Sequence, residues 1–589
     1  MARGLYMLNR QFTNSLKKSK KISHGIERAS FYSTSIKSNP ELEDESLWVN
    51  SKIQDVKTIV GVTIPEMIRA NIRGWENAVA FECAESGRKY THRQVLEQSR
   101  GFAAAMIQSG YKRGDVIGVV LHNIPEYCAI LYGIWEAGLV ASPVNPAYTA
   151  AEITRQLESS GAQGVVTLPD YLEACRAAKT ANPKIKSIVI VGEPHEGCHS
   201  YYEMVKADTT GVDFAKGSQM DTLNDTILLP YSSGTTGLPK GVMLTHSNLT
   251  TNLLQSTHPT YIKANAFEGQ NEQERLLGLL PFFHSYGLAC ILNVNMLKGS
   301  HTLTLPRFEV NSFVRAIRQQ RPTIMHMVTP LINFMVNSAD FTSKEFEATE
   351  TVIGGAAPIG PSLINQLLEK ANKHMLFQEG YGMTELSPVS HFSPLWTNNQ
   401  KVGSCGCPVP STSTKIVDVI SGKTLPRFER GEICVRGPQV MKGYFNNEEA
   451  TRNTIDVDGW CHTGDIGYYD NDDCLWIVDR LKELIKVKGF QVAPSELEDL
   501  LRGHEKVEDV AVIGVPDAEW GELPRAYIVK KDGQNLVEDE LNHFLKDQVT
   551  SYKQLRGGIE FVKAIPKAPT GKILRRELLT AYKEMRGLQ

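Results

Sequence analysis

The sequence predicts an α/β protein: a large multi-subdomain α/β N-terminal body followed by a small mobile α+β C-terminal domain. Strand-like runs at 116–121 and 188–191 alternate with helical stretches such as 90–109, which indicates parallel β-α-β units. Of the 589 residues, 41% are hydrophobic and 22% are charged, a composition typical of globular domains with large cores. The pattern changes after residue 480, so we predict a large domain over 45–480, a small domain over 481–589 and a hinge between them.

The overall charge excludes a general attraction to nucleic acid. The 63 basic and 66 acidic residues leave a formal net charge of -3, so any bound anion must be held by local groups. The most apolar internal stretch, 115–144, is interrupted by His122, Pro125, Glu126 and Glu136. It therefore predicts buried core and no transmembrane segment.

The ten cysteines show no Cys-x-x-Cys spacing. Cys405 and Cys407 come closest, but one intervening residue in a Gly/Pro context makes a poor chelate. We expect packed free thiols and a reducing compartment.

The first forty residues differ from the rest. They contain eight basic residues and only one acidic residue, Glu27, together with seven serines. Leu5, Met7, Leu8, Phe12 and Leu16 give a loose helical apolar face. Residues 1–38 therefore resemble a mitochondrial transit peptide, which predicts location in the mitochondrial matrix, and the alternative is a solvated basic tail.

A phosphate-binding loop is predicted at 231–241, where Tyr-Ser-Ser-Gly-Thr-Thr-Gly-Leu-Pro-Lys-Gly follows an apolar strand. Small residues let backbone N–H groups turn inward, hydroxyls add donors and Lys240 adds positive charge. The motif is not a kinase or GTPase P-loop: Gly234 and Gly237 are too close, and Gly241 stands where that loop needs a hydroxyl.

Several further motifs follow in a fixed order, and with the loop they resemble the adenylate-forming superfamily. Its members include acyl-CoA synthetases, 4-coumarate-CoA ligases, firefly-type luciferases and peptide-synthetase adenylation domains. The motifs are Pro-Phe-Phe-His at 281–284, Gly-Gly-Ala-Ala-Pro at 354–358, Gly-Tyr-Gly-Met-Thr-Glu at 380–385, Gly-Glu-Ile-Cys-Val-Arg-Gly at 431–437, Gly-Trp-Cys-His-Thr-Gly-Asp at 459–465 and Pro-Thr-Gly-Lys at 569–572. The motif at 431–437 and the segment 482–494 are most similar to the coumarate-ligase branch.

The resemblance implies a two-step reaction with ATP, Mg2+ and CoA. A carboxylate attacks the α-phosphate of ATP and releases pyrophosphate, and a thiol then displaces AMP. The implied phosphate contacts are Ser232, Ser233, Gly234, Thr235, Thr236, Gly237, Lys240 and Thr384. Glu385 is the implied Mg2+ ligand, since a hard cation favours carboxylate oxygen.

The nucleoside is assigned to other motifs by the same resemblance. Asp465 is expected to accept both ribose hydroxyls, with Arg480 near the same sugar. The adenine is expected against Gly354, Gly355, Ala356, Ala357, Pro358 and Tyr381, and Glu379, Gly380 and Gly382 are further implied cofactor contacts. The coumarate ligases usually have Gln where this chain has Glu379, whose carboxylate can still accept from the adenine amino group but costs more to bury.

The small domain is expected to serve both half-reactions by rotating. Lys572 matches the lysine that reaches the carboxylate and the α-phosphate during adenylation. Rotation about the predicted pivot, Lys482, would then bring 486–491 inward. Within that segment, Lys486 and Gln491 match active-site residues, while Lys488 and Gly489 match the loop that meets CoA.

The acid pocket implied by the resemblance is lined by His284, Tyr286, Gly355, Ala356, Pro388 and Val389. His284 is expected to border the acyl site and gate its access. The acid itself stays open between aryl and medium- or long-chain fatty acids, because related enzymes reuse one adenylation site with different pockets.

Three alternatives are weighed against an AMP-forming acid:CoA ligase. A peptide-synthetase module would continue into a carrier domain, but 17 residues follow Lys572. A luciferase-like monooxygenase shares the adenylation residues. An inactive binding protein would be expected to lack Lys572 or Glu385, and both are present. We expect a monomer or homodimer whose partners are the small-molecule acid, ATP and CoA.

Overall fold

The computed structural model describes residues 44–232, 239–262, 273–357, 359–488, 490–517, 519–546, 548–568 and 571–587. The predicted targeting segment 1–38 lies outside these ranges, and so do several predicted site residues: Ser233, Gly234, Thr235, Thr236, Gly237, Pro358 and Gly489.

The strands are numbered in chain order. They are β1 (Val49–Asn50), β2 (Val79–Cys83), β3 (Lys89–Thr91), β4 (Val116–Val120), β5 (Val140–Pro143), β6 (Ala162–Thr167), β7 (Ser187–Ile190), β8 (His199–Ser200), β9 (Thr226–Leu228), β10 (Tyr231–Ser232), β11 (Lys240–Thr245), β12 (Arg275–Gly278), β13 (His301–Thr304), β14 (Ile324–Met327), β15 (Thr351–Gly354), β16 (Leu376–Gly382), β17 (Val389–Phe392), β18 (Cys407–Pro408), β19 (Ser413–Val417), β20 (Gly431–Arg436), β21 (Gly443–Tyr444), β22 (Cys461–Tyr469), β23 (Leu475–Arg480), β24 (Ile485–Val487), β25 (Phe490–Val492), β26 (Val507–Asp517), β27 (Gly521–Lys530) and β28 (Ile559–Phe561).

The α-helices pack around these strands. They are α1 (Ile64–Asn71), α2 (His92–Gln108), α3 (Tyr127–Glu136), α4 (Ala150–Ser159), α5 (Leu172–Ala181), α6 (Tyr201–Met204), α7 (His246–Ser256), α8 (Val294–Lys298), α9 (Val310–Gln320), α10 (Thr329–Asn337), α11 (Pro361–Lys370), α12 (Glu448–Thr454), α13 (Pro494–Arg502), α14 (Glu538–Lys546) and α15 (Arg575–Arg586).

Threonine capping boxes fix where four of these helices begin. Thr63, Thr91, Thr149 and Thr245 each precede a helix and accept a hydrogen bond from the backbone N–H three residues later. The side chain at that later position bonds back to the N–H of the threonine, so two donors that the helix leaves unpaired are satisfied. For α7, this places a buried helix directly after β11, the strand that begins at Lys240.

The described strands form four sheets, and the predicted α/β fold class is confirmed. Two nine-stranded sheets have the orders β10-β11-β9-β5-β4-β6-β7-β8, with β21 beside β11, and β18-β17-β16-β15-β14-β12-β13-β2-β3. A five-stranded sheet has the order β1-β19-β20-β22-β23, and a fourth sheet contains β25-β24-β27-β26 with β28 beside β27. This fourth sheet takes all its strands from after residue 484; the predicted boundary at 480 stays a prediction.

Parallel pairing positions the functional residues of the second large sheet. Strands β12, β14, β15 and β16 run parallel, so their carboxyl ends meet at one edge. His326 lies near the end of β14, Gly355 follows β15, and Gly380–Gly382 ends β16. Ligands of such sheets bind outside the carboxyl ends of the strands.

A buried asparagine holds the loop that leaves β12. The amide of Asn123 donates to the carbonyl oxygens of Gly278 (2.8 Å) and Leu280 (2.9 Å), and its oxygen accepts from the backbone N–H of Phe282 (2.8 Å). The loop that carries His284 is thereby fixed to the end of β4, because a buried backbone group without a partner is costly.

The apolar stretch 115–144 folds into β4, α3 and β5, and all ten residues of α3 are buried. The prediction of core structure there is confirmed. Among the residues that the structure describes, no helix is both long and apolar enough to span a bilayer.

Candidate active site

A cavity of about 1520 Å3 lies at the carboxyl edge of β14–β16. Its walls come from the predicted phosphate loop, the large domain and the segment after Arg480. Predicted site residues that line it are Ser232, Lys240, His284, Tyr286, Gly355, Ala356, Gly380, Tyr381, Gly382, Thr384, Glu385, Pro388, Val389, Arg480, Lys482 and Lys572. Motifs separated by more than 300 residues therefore meet at one site.

One end of the cavity carries hydroxyl groups and a lysine. The Ser232 hydroxyl donates to Oε1 of Glu385 at 2.9 Å, and the Thr384 hydroxyl lies 3.3 Å from that of Ser285. Lys240 Nζ lies 5.0 Å from the centre of the Tyr444 ring. Hydrogen-bond donors and a positive charge are the groups that a polyphosphate needs.

Glu385 is suited to hold a divalent cation. Its side chain is buried, and Oε1 accepts hydrogen bonds from the hydroxyls of Ser232 (2.9 Å) and Tyr444 (2.8 Å). Among the described residues no Lys, Arg or His forms an ion pair with it. The carboxylate charge is therefore oriented by neutral donors and remains available to Mg2+, which prefers oxygen ligands. A role for Tyr444 in the site was not predicted from the sequence. The only signal in the sequence was its position shortly after the 431–437 motif.

A second group of side chains lies where the ribose was predicted. Asp465 on β22 and Arg480 on β23 are register partners, and Arg480 Nε is 3.3 Å from Asp465 Oδ1. The Tyr381 hydroxyl donates to Oδ2 at 2.7 Å. Burial raises the pKa of Asp465, while the charge of Arg480 and the Tyr381 hydrogen bond act in the opposite direction. The structure brings these three predicted residues together.

Lys572 reaches this group from the C-terminal part of the chain. Burial lowers the pKa of Lys572, the nearby charge of Arg480 lowers it further, and Glu483 and Asp465 oppose both effects. Lys572 therefore lies in the cavity, close to the side chains that are predicted to bind the ribose. Two cations share this region, which suits a strongly anionic ligand.

Arg575, three residues after Lys572, was not predicted and forms a buried ion-pair network. Its guanidinium donates to Glu483 (2.6 Å) and to both carboxylate oxygens of Glu498 (2.7 and 2.8 Å). This network joins the start of α15 to α13 and to the residue after Lys482. Its members sit far apart in the sequence, so no local pattern indicated it.

The described residues that were predicted for the thiol half-reaction lie outside the cavity. Lys486 and Gln491 are exposed register partners in the β24–β25 hairpin. Lys488 pairs with Glu519 at 2.8 Å and lies 3.9 Å from the centre of the Trp520 ring. None of the three lines the cavity. The arrangement is the one expected for adenylation, with Lys572 inward and this hairpin outward.

Glu379 does not reach the cavity, unlike the prediction for adenine recognition. It lies on β16, and its carboxylate accepts a hydrogen bond from the backbone N–H of Gly403 at 2.9 Å. Burial raises the pKa of Glu379 to about 8, against the effect of that hydrogen bond. Glu379 is therefore turned toward Gly403, although the next two residues of the strand, Gly380 and Tyr381, line the cavity. Ala357 also lies outside the cavity lining.

The part of the cavity that is predicted to bind the substrate acid is lined by uncharged side chains. Burial lowers the pKa values of His284 and His326 to about 4, so both imidazoles are uncharged at neutral pH. His326 Nδ1 lies 3.3 Å from the Tyr286 hydroxyl, which donates to the carbonyl of Ile353 at 3.2 Å. Sequence reasoning missed His326, because one histidine inside an apolar strand resembles an ordinary core residue.

Glu432, Cys434 and His462 bring potential metal-binding atoms within 4.8 Å of one another. Hydrogen bonds with Asp456, Cys434 and Glu432 raise the pKa of His462 to about 12. An imidazole must be neutral to bind a metal. Glu432 and His462 therefore form a charged pair that lines the cavity, beside the buried thiol of Cys434.

Comparisons with known proteins agree with this geometry. The family model described as "AMP-binding enzyme" matches residues 68–445, and the model "AMP-binding enzyme C-terminal domain" matches residues 496–572. The chain is 38% identical to 4-coumarate–CoA ligase 3 of Oryza sativa subsp. japonica over 547 residues, which cover 91% of this chain and 95% of that protein. It is 39% identical to 4-coumarate–CoA ligase 2 of Nicotiana tabacum over 535 residues, 88% of this chain and 95% of the relative.

Solved structures show the same architecture. The anthranilate CoA ligase AuaEII in complex with anthranoyl-AMP has a TM-score of 0.82 and 25% identity, with 90% of this chain and 100% of that chain covered. ATP-bound MatB from Rhodopseudomonas palustris has a TM-score of 0.79 and 26% identity, with 89% and 99% covered. The chain belongs to the AMP-binding enzyme family, and its resemblance to adenylate-forming enzymes is confirmed.

We predict that Glu379→Gln raises the free energy of unfolding at about pH 8 by on the order of 4 kcal/mol relative to the wild type, and much less at about pH 5. The ordinary pKa of a glutamate is 4.5, whereas the buried Glu379 stays protonated to about pH 8. Between these values the unfolded chain loses the proton first, so the wild type loses stability as pH rises.

Urea unfolding at several pH values would measure this difference, with Glu347→Gln as the control. Glu347 is exposed and pairs with Arg321 on the surface, so its variant should follow the wild-type curve. Parallel pH profiles for Glu379→Gln and the wild type would contradict the prediction.

Proposed function

We infer that the protein is an ATP-dependent carboxylic acid:CoA ligase that forms an acyl-adenylate and then an acyl-CoA, with AMP and pyrophosphate as the other products. The observation that carries this function is the position of Lys572. It enters a cavity that is also lined by Ser232, Lys240 and Glu385, and by Arg480, which pairs with the buried Asp465. These are the groups needed to hold ATP against a carboxylate.

In the first step, a carboxylate oxygen of the acid attacks the α-phosphorus and pyrophosphate leaves. Lys572 stabilises the charge on the acid and the α-phosphate, while Lys240 and the Ser232 hydroxyl bind the departing phosphates. Arg480 and Asp465 orient the ribose. Mg2+ held by Glu385 would supply further positive charge to the phosphates.

In the second step, the CoA thiol loses its proton and its sulfur attacks the acyl carbon; the bond between that carbon and the phosphate oxygen breaks, and AMP leaves with the oxygen. Rotation about Lys482 would withdraw Lys572 and bring the segment 486–491 toward the cavity. In the described arrangement Lys486, Lys488 and Gln491 are exposed and lie outside the cavity lining. Both members of the Lys488–Glu519 ion pair belong to the predicted small domain, so the pair would move with that domain.

We propose that the acid has an aromatic or a medium- to long-chain aliphatic body. The cavity wall behind His284 includes Val294, Ile353, Val389 and Phe392, and its histidines are neutral. An apolar body is favoured there, because a second carboxylate would be desolvated without a cationic partner. The relatives that act on coumarate support the aromatic choice, and a role in fatty acid metabolism is the aliphatic alternative.

A panel of acids would test the function. With ATP and Mg2+, we expect aryl or C4 to C18 monocarboxylic acids to give acyl-CoA and AMP when CoA is present, detected by mass spectrometry. Dicarboxylic acids of matched length serve as controls and should react at least about tenfold more slowly. Adenylate without thioester would instead indicate another acceptor or an oxidative fate.

The two half-reactions should separate by mutation. Lys572→Ala should slow adenylate formation at least about 100-fold and leave thioester formation from supplied acyl-adenylate within about threefold of wild type. Gly489→Trp should have the reverse effect, because a bulky side chain would obstruct the segment that meets CoA. Single-turnover assays of each half-reaction would measure both rates.

Lys563→Ala is the matched control for loss of a lysine in the same part of the chain, since Lys563 is exposed and does not line the cavity. Equal losses in both half-reactions for Lys572→Ala and Gly489→Trp would contradict rotation while leaving the ligase function intact.

We also propose that residues 1–38 direct the enzyme to the mitochondrial matrix. The support is compositional: a strongly basic, serine-rich segment with one acidic residue. A fluorescent reporter fused to residues 1–43 should enter mitochondria, and replacement of Arg3, Arg10, Lys17 and Lys18 by Gln should abolish import. A diffuse signal from the unmodified fusion would contradict the proposal.

A further inference from the structure

Two thiols outside the cavity face each other closely. The Sγ atoms of Cys407 and Cys474 are 3.7 Å apart. Sequence analysis singled out Cys407 only for its spacing from Cys405, whereas the structure pairs it with a cysteine 67 residues further along the chain. The mechanism of ligation uses neither thiol.

The backbone geometry suits a covalent link. The N–H of Leu475 donates to the carbonyl of Gly406, and the N–H of Cys405 donates to the carbonyl of Leu475, each at 2.9 Å. The next opposed residues in this antiparallel contact are Cys407 and Cys474. Opposed residues of neighbouring antiparallel segments have Cα atoms about 4.5 to 5.5 Å apart, within the range that disulfides span.

Access and acidity differ between the two thiols. Cys407 is partly exposed and Cys474 is buried. The hydrogen bond between the thiols lowers the pKa of Cys474, and the same bond raises the pKa of Cys407, with burial acting in the same direction. The inter-thiol contact thus favours ionisation of Cys474, whereas Cys407 is the partly exposed sulfur that a small oxidant can meet first.

We propose that Cys407 and Cys474 are a redox modification site that forms a reversible intramolecular disulfide with a low-molecular-weight disulfide as oxidant. The sulfur of Cys407 attacks one sulfur of the oxidant, breaks its S–S bond and releases one thiol. The sulfur of Cys474 then attacks Cys407, and the second half of the oxidant leaves as a thiol. The two cysteine hydrogens end on the two released thiols.

The link would connect two parts of the active site. Cys407 on β18 is the register partner of Phe392 on β17, which lines the acid end of the cavity. Cys474 directly precedes β23, which ends at Arg480. The disulfide would therefore link the cavity wall that contains Phe392 to the hairpin that carries Asp465 and Arg480. Because it would close a 67-residue loop, it should also stabilise the folded chain.

The test uses oxidised glutathione on the folded full-length protein. We expect an intact mass lower by about 2 Da, loss of two of the ten thiols, and one linked peptide pair containing Cys407 and Cys474 in a non-reducing digest. Dithiothreitol should reverse all three changes. The thermal midpoint of the oxidised wild type should exceed that of the reduced protein by at least about 2 °C.

Variants make the assignment specific. Cys407→Ser and Cys474→Ser should each abolish the link, while Cys405→Ser, at a partly exposed cysteine two residues away, should retain it. The proposal is overturned if the wild type keeps all its thiols, if it stops at a stable glutathione adduct of about 305 Da, or if the linked peptides contain another cysteine pair.

Discussion

Two cations, Lys572 and Arg480, lie close together in the cavity. The site depends on nearby carboxylates, those of Asp465 and Glu483, which offset the repulsion between the two cations. Asp465 accepts from the Tyr381 hydroxyl and pairs with Arg480, and its charge together with that of Glu483 favours the protonated form of Lys572. Without these carboxylates, burial and repulsion would both disfavour a charged lysine at this position. The protein therefore keeps a positive site in place before any nucleotide arrives.

The sheets explain why such distant residues converge. The ends of β14, β15 and β16 supply His326, Gly355 and Tyr381 from a single sheet edge, while the β22–β23 hairpin supplies Asp465 and Arg480. The side chain of Asn123 fixes the loop that brings His284 to the same place. Each contribution comes from a strand end or a braced loop, so the shape of the site is set by the rigid scaffold around it.

The sequence predicted the fold class and most of the lining residues, because these lie in contiguous motifs with recognisable chemistry. Tyr444 and Arg575 escaped prediction since their partners, Glu385 and Glu498, are remote in sequence and become neighbours only through packing. The prediction that Glu379 contacts the adenine differs from the structure for another reason. Its motif was recognised, but the motif does not show that the carboxylate bonds to the backbone N–H of Gly403, a residue 24 positions away, and so lies outside the cavity lining.

The Arg575 network has a mechanical consequence. Arg575 holds Glu483, which directly follows the predicted pivot Lys482, and it also holds Glu498 on α13. Three charge-assisted hydrogen bonds at 2.6 to 2.8 Å leave little play between the pivot and the turn that carries Lys572. Glu483 and the turn with Lys572 are therefore expected to move together. A small change of backbone angle at residue 482 would then displace Lys572, because the hydrogen bonds of Arg575 resist bending between the two.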